Sequence, residues 1–140
     1  GRVAIELARR GIGVVGVDLD AGFIGHAAAK APALTWIHAD LATVALESCF
    51  DVVVAAGNVM IFLASGSESR VVENLAGQLA PGGRLVVGFS LLPGRLTLAD
   101  YDRAATAAGL GLEDRWSTWD RAPFAGADFA VSVHRAAGPA

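Results

Sequence analysis

Apolar positions along the chain fall either into short continuous runs or into stretches with helical period. Residues 2–10 pair Val3 with Leu7 and Ala4 with Ala8, then stop at Gly11, which predicts a helix closed by glycine. The run GVVGVD, residues 13–18, is apolar until it ends in an acid, as expected of a parallel strand buried on both faces. A short helix is predicted over 23–31, closed by Pro32, and a second strand over 34–39, followed by Asp40. FDVVVAA, residues 50–56, is a third buried strand ending at Gly57-Asn58. Ser65 and Glu68 have the spacing of a capping box ahead of a helix through Leu79, with Val71, Val72, Leu75 and Leu79 on one face. Pro81-Gly82-Gly83 ends that helix, and RLVVGF, residues 84–89, predicts the next strand.

In the last third the pattern changes. Thr97 predicts the cap of a helix ending near Ala108, with Gly109 just past it. Residues 112–119 and 127–135 read as two strands joined by a Pro/Gly turn with no helix between them, hence antiparallel. The order of elements implies an α/β fold, a doubly wound and mostly parallel sheet with right-handed crossovers that closes on an antiparallel C-terminal hairpin. One domain is expected over residues 1–135, with 136–140 a small-residue, frayed tail.

Composition narrows the function. The chain has 140 residues, 54% of them hydrophobic, which suffices for one real core. Its net charge of −3, from 11 basic and 14 acidic residues, gives no electrostatic footprint for nucleic acid or an anionic membrane, and neither is expected as a partner. The single Cys49 excludes an intramolecular disulfide framework and a multi-cysteine metal site, so a reducing cytoplasm is the expected compartment. The best apolar run, residues 52–64, is short and broken by Gly57 and Asn58, so no membrane span is expected. Nothing at the start resembles a signal peptide. The chain opens on Gly1-Arg2-Val3 without Met, directly into a helix, and the expectation is of a chain lacking its beginning.

In an open α/β sheet ligands bind outside the carboxyl ends of the strands. The residues there are Asp18, Asp40, Ala56-Gly57-Asn58 and Phe89-Ser90. Asp18 ends an apolar run where a carboxylate can accept hydrogen bonds from the two hydroxyls of a ribose. Its structural alternative is to cap the next helix, a task for which Asp20 is better placed. Asp40 can accept from an exocyclic amine such as that of adenine, or can close an Asx turn. Gly57 and Asn58 allow close backbone approach to a ligand, or are simply turn residues.

Other candidates carry less. His26, His38 and His134 show no metal-ligand spacing, so no metal is expected, and each reads as structural. Cys49 lacks the setting of a catalytic thiol. Ser65, Ser67 and Ser69 lack a nucleophile-elbow turn, which argues against a hydrolase. Trp116, Trp119 and Phe124, with Arg115 and Arg121, could wall a substrate pocket; the favoured reading is edge-strand packing with the arginines snorkelling over it.

Together these motifs resemble a class I S-adenosylmethionine-dependent methyltransferase over essentially the whole chain. LAPGGRLVVGF, residues 79–89, is similar to the family's Pro-Gly-Gly turn before the fifth strand. GVVGVDLD, residues 13–20, resembles its second strand, which assigns ribose binding to Asp18 and a neighbouring cofactor contact to Leu19. WIHADL, residues 36–41, resembles the strand before the adenine contact, which carries over to Asp40 and Leu41. FDVVVAAGNVMIFL, residues 50–63, is similar to the fourth strand and its loop, which places the backbone of Ala56 near the methionyl amino group, with Gly57 and Asn58 next to it as cofactor-contact candidates. Gly1 matches the last glycine of the family's glycine-rich loop, whose first strand and earlier glycines would precede it.

The resemblance implies a Rossmann-like sheet, S-adenosylmethionine as cofactor and in-line methyl transfer; the acidic charge favours a small-molecule acceptor over nucleic acid, with a protein acceptor left open. Positioning and water exclusion then carry the catalysis. A general base is needed only for a poorly acidic acceptor; none stands out, and His134 is the one weak candidate. Without the first strand, two buried strand edges lose their ladder partners unless neighbouring strands close up or something else fills the gap. Two alternatives remain: a non-catalytic binding or assembly domain of the same fold, and a nicotinamide dehydrogenase, which does not explain the hairpin ending. Association with a second copy is left open.

Overall fold

The computed structural model describes residues 1–139 and divides into two compact units, one over residues 1–44 and one beginning at Ala45. In the first unit, α1 (Arg2–Arg9) leads to β1 (Val15–Asp18), α2 (Ala21–Lys30) and β2 (Thr35–His38). β1 and β2 form a two-stranded parallel sheet with Val15 opposite Thr35 and Asp18 opposite His38, and α2 packs on both strands. Asp20 caps α2, its Oδ1 accepting from the Phe23 amide at 3.0 Å, which releases Asp18 from that task. The ring of Trp36 lies over Gly16, where a Cβ would stand 2.3 Å from it, and Trp36 Nε1 donates to Ala31 O at 2.9 Å. A glycine in β1 thus makes room for the largest side chain of its partner strand; β1 itself is only half-buried, not buried on both faces as expected.

The second unit contains β3 (Phe50–Ala55), a 3-10 turn at Val59–Ile61, α3 (Glu68–Gly77), β4 (Leu79–Ser90), α4 (Leu98–Ala107), β5 (Leu110–Trp116) and β6 (Phe129–Ala136). Its sheet runs β3-β4-β6-β5, parallel between β3 and β4 and antiparallel from there on. The expected hairpin ending is therefore present, with β6 between β4 and β5. Among the described residues β1 pairs only with β2, and β3 only with β4, so the ladder is in two pieces.

Alternation along β4 sends Leu85, Val87 and Phe89 to one face, level with His134, Ser132 and Ala130 of β6. Val71, Val72 and Leu75 of α3 are also buried, as are Tyr101 and Ala105 of α4; α3 packs on β4 and on α4. The Phe89 and Tyr101 rings are 5.6 Å apart, so α4 meets the sheet through an aromatic pair. Every apolar position expected on the core face of α3 is buried.

Two local expectations are overturned. Ser65 does not cap α3: the helix begins at Glu68, with Ser67 preceding it and no side-chain cap. Gly66 adopts φ +87°, and the Glu68 carboxylate accepts the Gly66 amide at 2.9 Å while Ser67 Oγ donates to Ala64 O at 2.6 Å. The polar side chains stabilise a turn ahead of the helix, which delays its start. Pro81-Gly82-Gly83, expected before the strand, lies inside β4, where the register with β3 shifts between Phe50 and Val52. A Cβ on Gly83 would stand 2.8 Å from Ala80 O and 3.1 Å from the carbonyl oxygens of Phe50 and Asp51, so only glycine fits that irregularity. At the C-terminus β6 extends through Ala136, and Ala137 O accepts the Gly82 amide at 2.9 Å. No helix among the described residues is long and apolar enough to cross a membrane.

Candidate functional site

In the first unit, the parallel pairing of β1 and β2 brings Asp18 and Asp40 to one end of one sheet. Asp18 ends β1 and is half-buried; its Oδ1 accepts the Asp20 amide at 2.9 Å, and its other oxygen accepts from no described residue. Ala39 N donates to Asp18 O at 3.0 Å, joining the two strand ends one residue before Asp40. Asp40 Oδ1 accepts the Ala42 amide at 2.8 Å, and Asp40 O accepts the Val44 amide at 2.8 Å. Asp40 therefore closes an Asx turn, with its exposed carboxylate beside Leu41. Leu19 is 63% exposed and Phe23 67% exposed, an apolar pair on either side of Asp20. Gly1 precedes α1 and rests on Ala27: a Cβ there would lie 3.0 Å from the Ala27 Cβ and 3.5 Å from the Trp36 ring.

In the second unit, Ala56, Gly57 and Asn58 follow the carboxyl end of β3. Gly57 and Asn58 both have positive φ, +74° and +63°. Asn58 Oδ1 accepts the Ser90 amide at 2.7 Å, which ties the end of β3 to the end of β4 and leaves the Asn58 amide group as a donor. A cavity of about 860 Å³ opens between the segments leaving β3 and β4 and the helices that follow them, with Met60, Ile61, Val72 and Tyr101 in its lining and Arg95 and Glu73 among its charged residues.

The side chains dismissed as edge packing form two different groups. Trp119 lies over Gly88, where a Cβ would be 2.5 Å from its ring, and the Arg121 guanidinium sits 5.2 Å above the Trp116 ring. Arg115 does not snorkel. It is part-buried, its Nε donates to Ser132 Oγ at 3.0 Å, and its Nη2 donates to Asp102. His134, behind them, is 1% exposed, with Nε2 at 3.4 Å from Asp102 Oδ1 and its ring edge-on to Tyr101 at 5.2 Å. Burial lowers its pKa below the usual histidine value, and Asp102, already paired to Arg115, only partly opposes this. Burial likewise pushes the Tyr101 hydroxyl well above its ordinary range. So enclosed, His134 reaches no small-molecule acceptor, and its candidacy as general base is withdrawn.

His26 and Cys49 are exposed and isolated from this chemistry, and no group of three or more His, Cys, Asp or Glu among the described residues could hold a metal ion. His38, read as structural, bonds the carbonyl of Leu19, next to Asp18. A polar residue at the last position of a strand was the available signal.

In open α/β sheets ligands bind outside the carboxyl ends of the parallel strands, which is where Asp18, Asp40 and Asn58 stand. The sequence model of the family described as "Methyltransferase domain" matches residues 1–83. A TehB-like S-adenosylmethionine-dependent methyltransferase from Corynebacterium glutamicum is similar at 32% identity and TM-score 0.88, over 98% of this chain and 74% of that one. The CcbJ methyltransferase from Streptomyces caelestis shares the fold at 22% identity and TM-score 0.87, over 99% of this chain and 80% of that one. CalS10, an amino pentose methyltransferase from Micromonospora echinaspora, does so at 18% identity and TM-score 0.74, over 87% and 73%. No curated protein sequence matches the chain.

The chain belongs to the class I S-adenosylmethionine-dependent methyltransferase family, and S-adenosylmethionine is its cofactor. The nicotinamide dehydrogenase alternative falls with that finding. The donor set fits the cofactor: Asp18 offers a carboxylate oxygen suited to a diol, and the exposed Leu19 offers apolar surface suited to a base.

Proposed function

We propose that this methyltransferase holds the adenosine half of its cofactor through Asp18, Leu19, Asp40 and Leu41 and the methionyl half through Ala56, Gly57 and Asn58, with Gly1 at the glycine loop. Asp18 accepts from the ribose hydroxyls; Asp40 and the backbone of Leu41 address the adenine. The observation that carries this reading is Asp18 itself, oriented by the Asp20 amide at the carboxyl end of β1 with one oxygen uncommitted. Asp40 is oriented in the same way by the Ala42 amide. Gly57 and Asn58, in left-handed backbone, expose main-chain groups that can approach a ligand closely.

Bound S-adenosylmethionine supplies an activated methyl group on a sulfonium. The residues of this chain orient the two reactants and exclude water, and such positioning can be worth roughly 7–11 kcal/mol of barrier. With the cofactor held by Asp18, Asp40 and Asn58, the methyl it supplies would be open to in-line displacement by the acceptor's nucleophile. No side chain of the second unit is assigned as a base, which suits an acceptor that is nucleophilic without deprotonation or loses its proton to water.

A small-molecule acceptor is supported by the chain's acidic balance and by the cavity of about 860 Å³, within the size range of small-molecule sites. The amino pentose named for CalS10 is an acceptor of that class. Calorimetric titration with S-adenosylhomocysteine tests the assignment. Asp18→Ala should weaken binding about 10–100-fold, the worth of charge-assisted hydrogen bonds. Unchanged affinity would remove Asp18 from the site.

A further inference from the structure

We propose that His38 is a positioning residue for the adenosine end of the site, acting through the main chain of Leu19; this rests on the cofactor assignment of Asp18 and Leu19 above. His38 is the last residue of β2 and stands opposite Asp18, the last residue of β1, in the parallel ladder. Its Nε2 lies 2.8 Å from Leu19 O. A carbonyl oxygen only accepts, so Nε2 carries the proton and donates. The bond links the loop leaving β1 to the end of β2.

Nothing else among the side chains holds that carbonyl. Asp20 N, which shares one planar peptide unit with Leu19 O, donates to Asp18 Oδ1, and Phe23 N donates to Asp20 Oδ1; the Asp18 carboxylate thus holds the amide end of that unit and the His38 imidazole its carbonyl end. Leu19 is 63% exposed, so burial does not orient its side chain either. An apolar side chain that stands in solvent keeps its direction through its backbone, and here the backbone is clipped by the imidazole. A base laid against Leu19 then meets a surface already arranged, and less ordering entropy is lost on binding. Two bonds cross the strand ends, Ala39 N to Asp18 O and His38 Nε2 to Leu19 O, and a third within the loop, Asp20 N to Asp18 Oδ1, orients the acid.

Calorimetric titration with S-adenosylhomocysteine of the wild type, His38→Leu, His38→Gln and Asp18→Ala tests the proposal. His38→Leu removes the donor and should raise Kd about three- to tenfold, the worth of one neutral hydrogen bond. His38→Gln, whose side-chain amide donates over a similar reach, should recover most of that loss. In the free wild type, nitrogen-15 NMR of the imidazole should show the Nε2-protonated form. Equal losses in both His38 variants point to a merely structural role and overturn the proposal, as does a Kd unchanged in His38→Leu while Asp18→Ala weakens. A wild type that does not bind, or Asp18→Ala binding normally, overturns the underlying cofactor assignment instead.

Discussion

At Gly83 a hydrogen in place of a methyl group decides whether β4 can lie against β3. Three backbone carbonyl oxygens surround the position a Cβ would take, at 2.8 to 3.1 Å, and none belongs to a flexible side chain that could give way. Gly83→Ala should therefore cost about 1–3 kcal/mol, read as a lower urea midpoint with an unchanged slope. A fall of less than about 0.5 kcal/mol would mean that the strand end relaxes freely. Asn58 shows another single-residue decision. Sequence reasoning left it open between turn and ligand; the structure makes it a left-handed turn residue whose Oδ1 ties to Ser90, and the ligand role proposed for it would use the amide group. The two roles use different atoms, so they do not compete.

At the scale of elements, caps distinguish what local sequence controls from what it does not. Thr97 caps α4 as its sequence predicts, with Oγ1 accepting the Asp100 amide at 3.1 Å. Thr97→Ala should destabilise the fold by about 1 kcal/mol and lower the thermal midpoint by about 2–4 °C, measured by circular dichroism; no shift would show that packing alone holds the end of α4. The equally plausible signal at Ser65 and Glu68 fails because Gly66 and Ser67 find hydrogen bonds in a tight turn first. Both segments have polar residues of the right kind. Only the competing turn separates them, and it depends on a positive φ that spacing does not reveal.

For the molecule as a whole, burial of a polar cluster ties stability to pH. His134 is held neutral behind Tyr101, Asp102, Arg115 and Ser132, with its pKa lowered chiefly by burial. Between that lowered value and the usual value of about 6.5 the unfolded chain binds more protons than the folded one, so stability falls as pH drops through this window and is fully present above it. Urea midpoints at pH 7.5 and 5.5 should show a loss in the wild type that shrinks in His134→Gln. Parallel losses in the two proteins would assign the pH dependence to other groups. The same cluster explains why Arg115 is not a surface cation: Asp102 on α4 and Ser132 on β6 hold it from two sides.

By itself the sequence determined the α-helices and strands in order, apart from the start of β4, together with the parallel-then-antiparallel sequence and the acids at the strand ends. Those features follow from periodicity and from which residue follows an apolar run, and both are local. The resemblance carried by residues 13–20, 36–41 and 79–89 was enough to identify the family. Tertiary structure alone decided which polar groups meet across long separations: His38 with Leu19, Asn58 with Ser90, and Asp102 with Arg115 and His134. It also decided that Pro81-Gly82-Gly83 lies within a strand. The physical reason is the same in each case. A hydrogen bond or a close approach depends on where two distant segments stand to within fractions of an ångström, and the order of residues along either segment does not contain that distance.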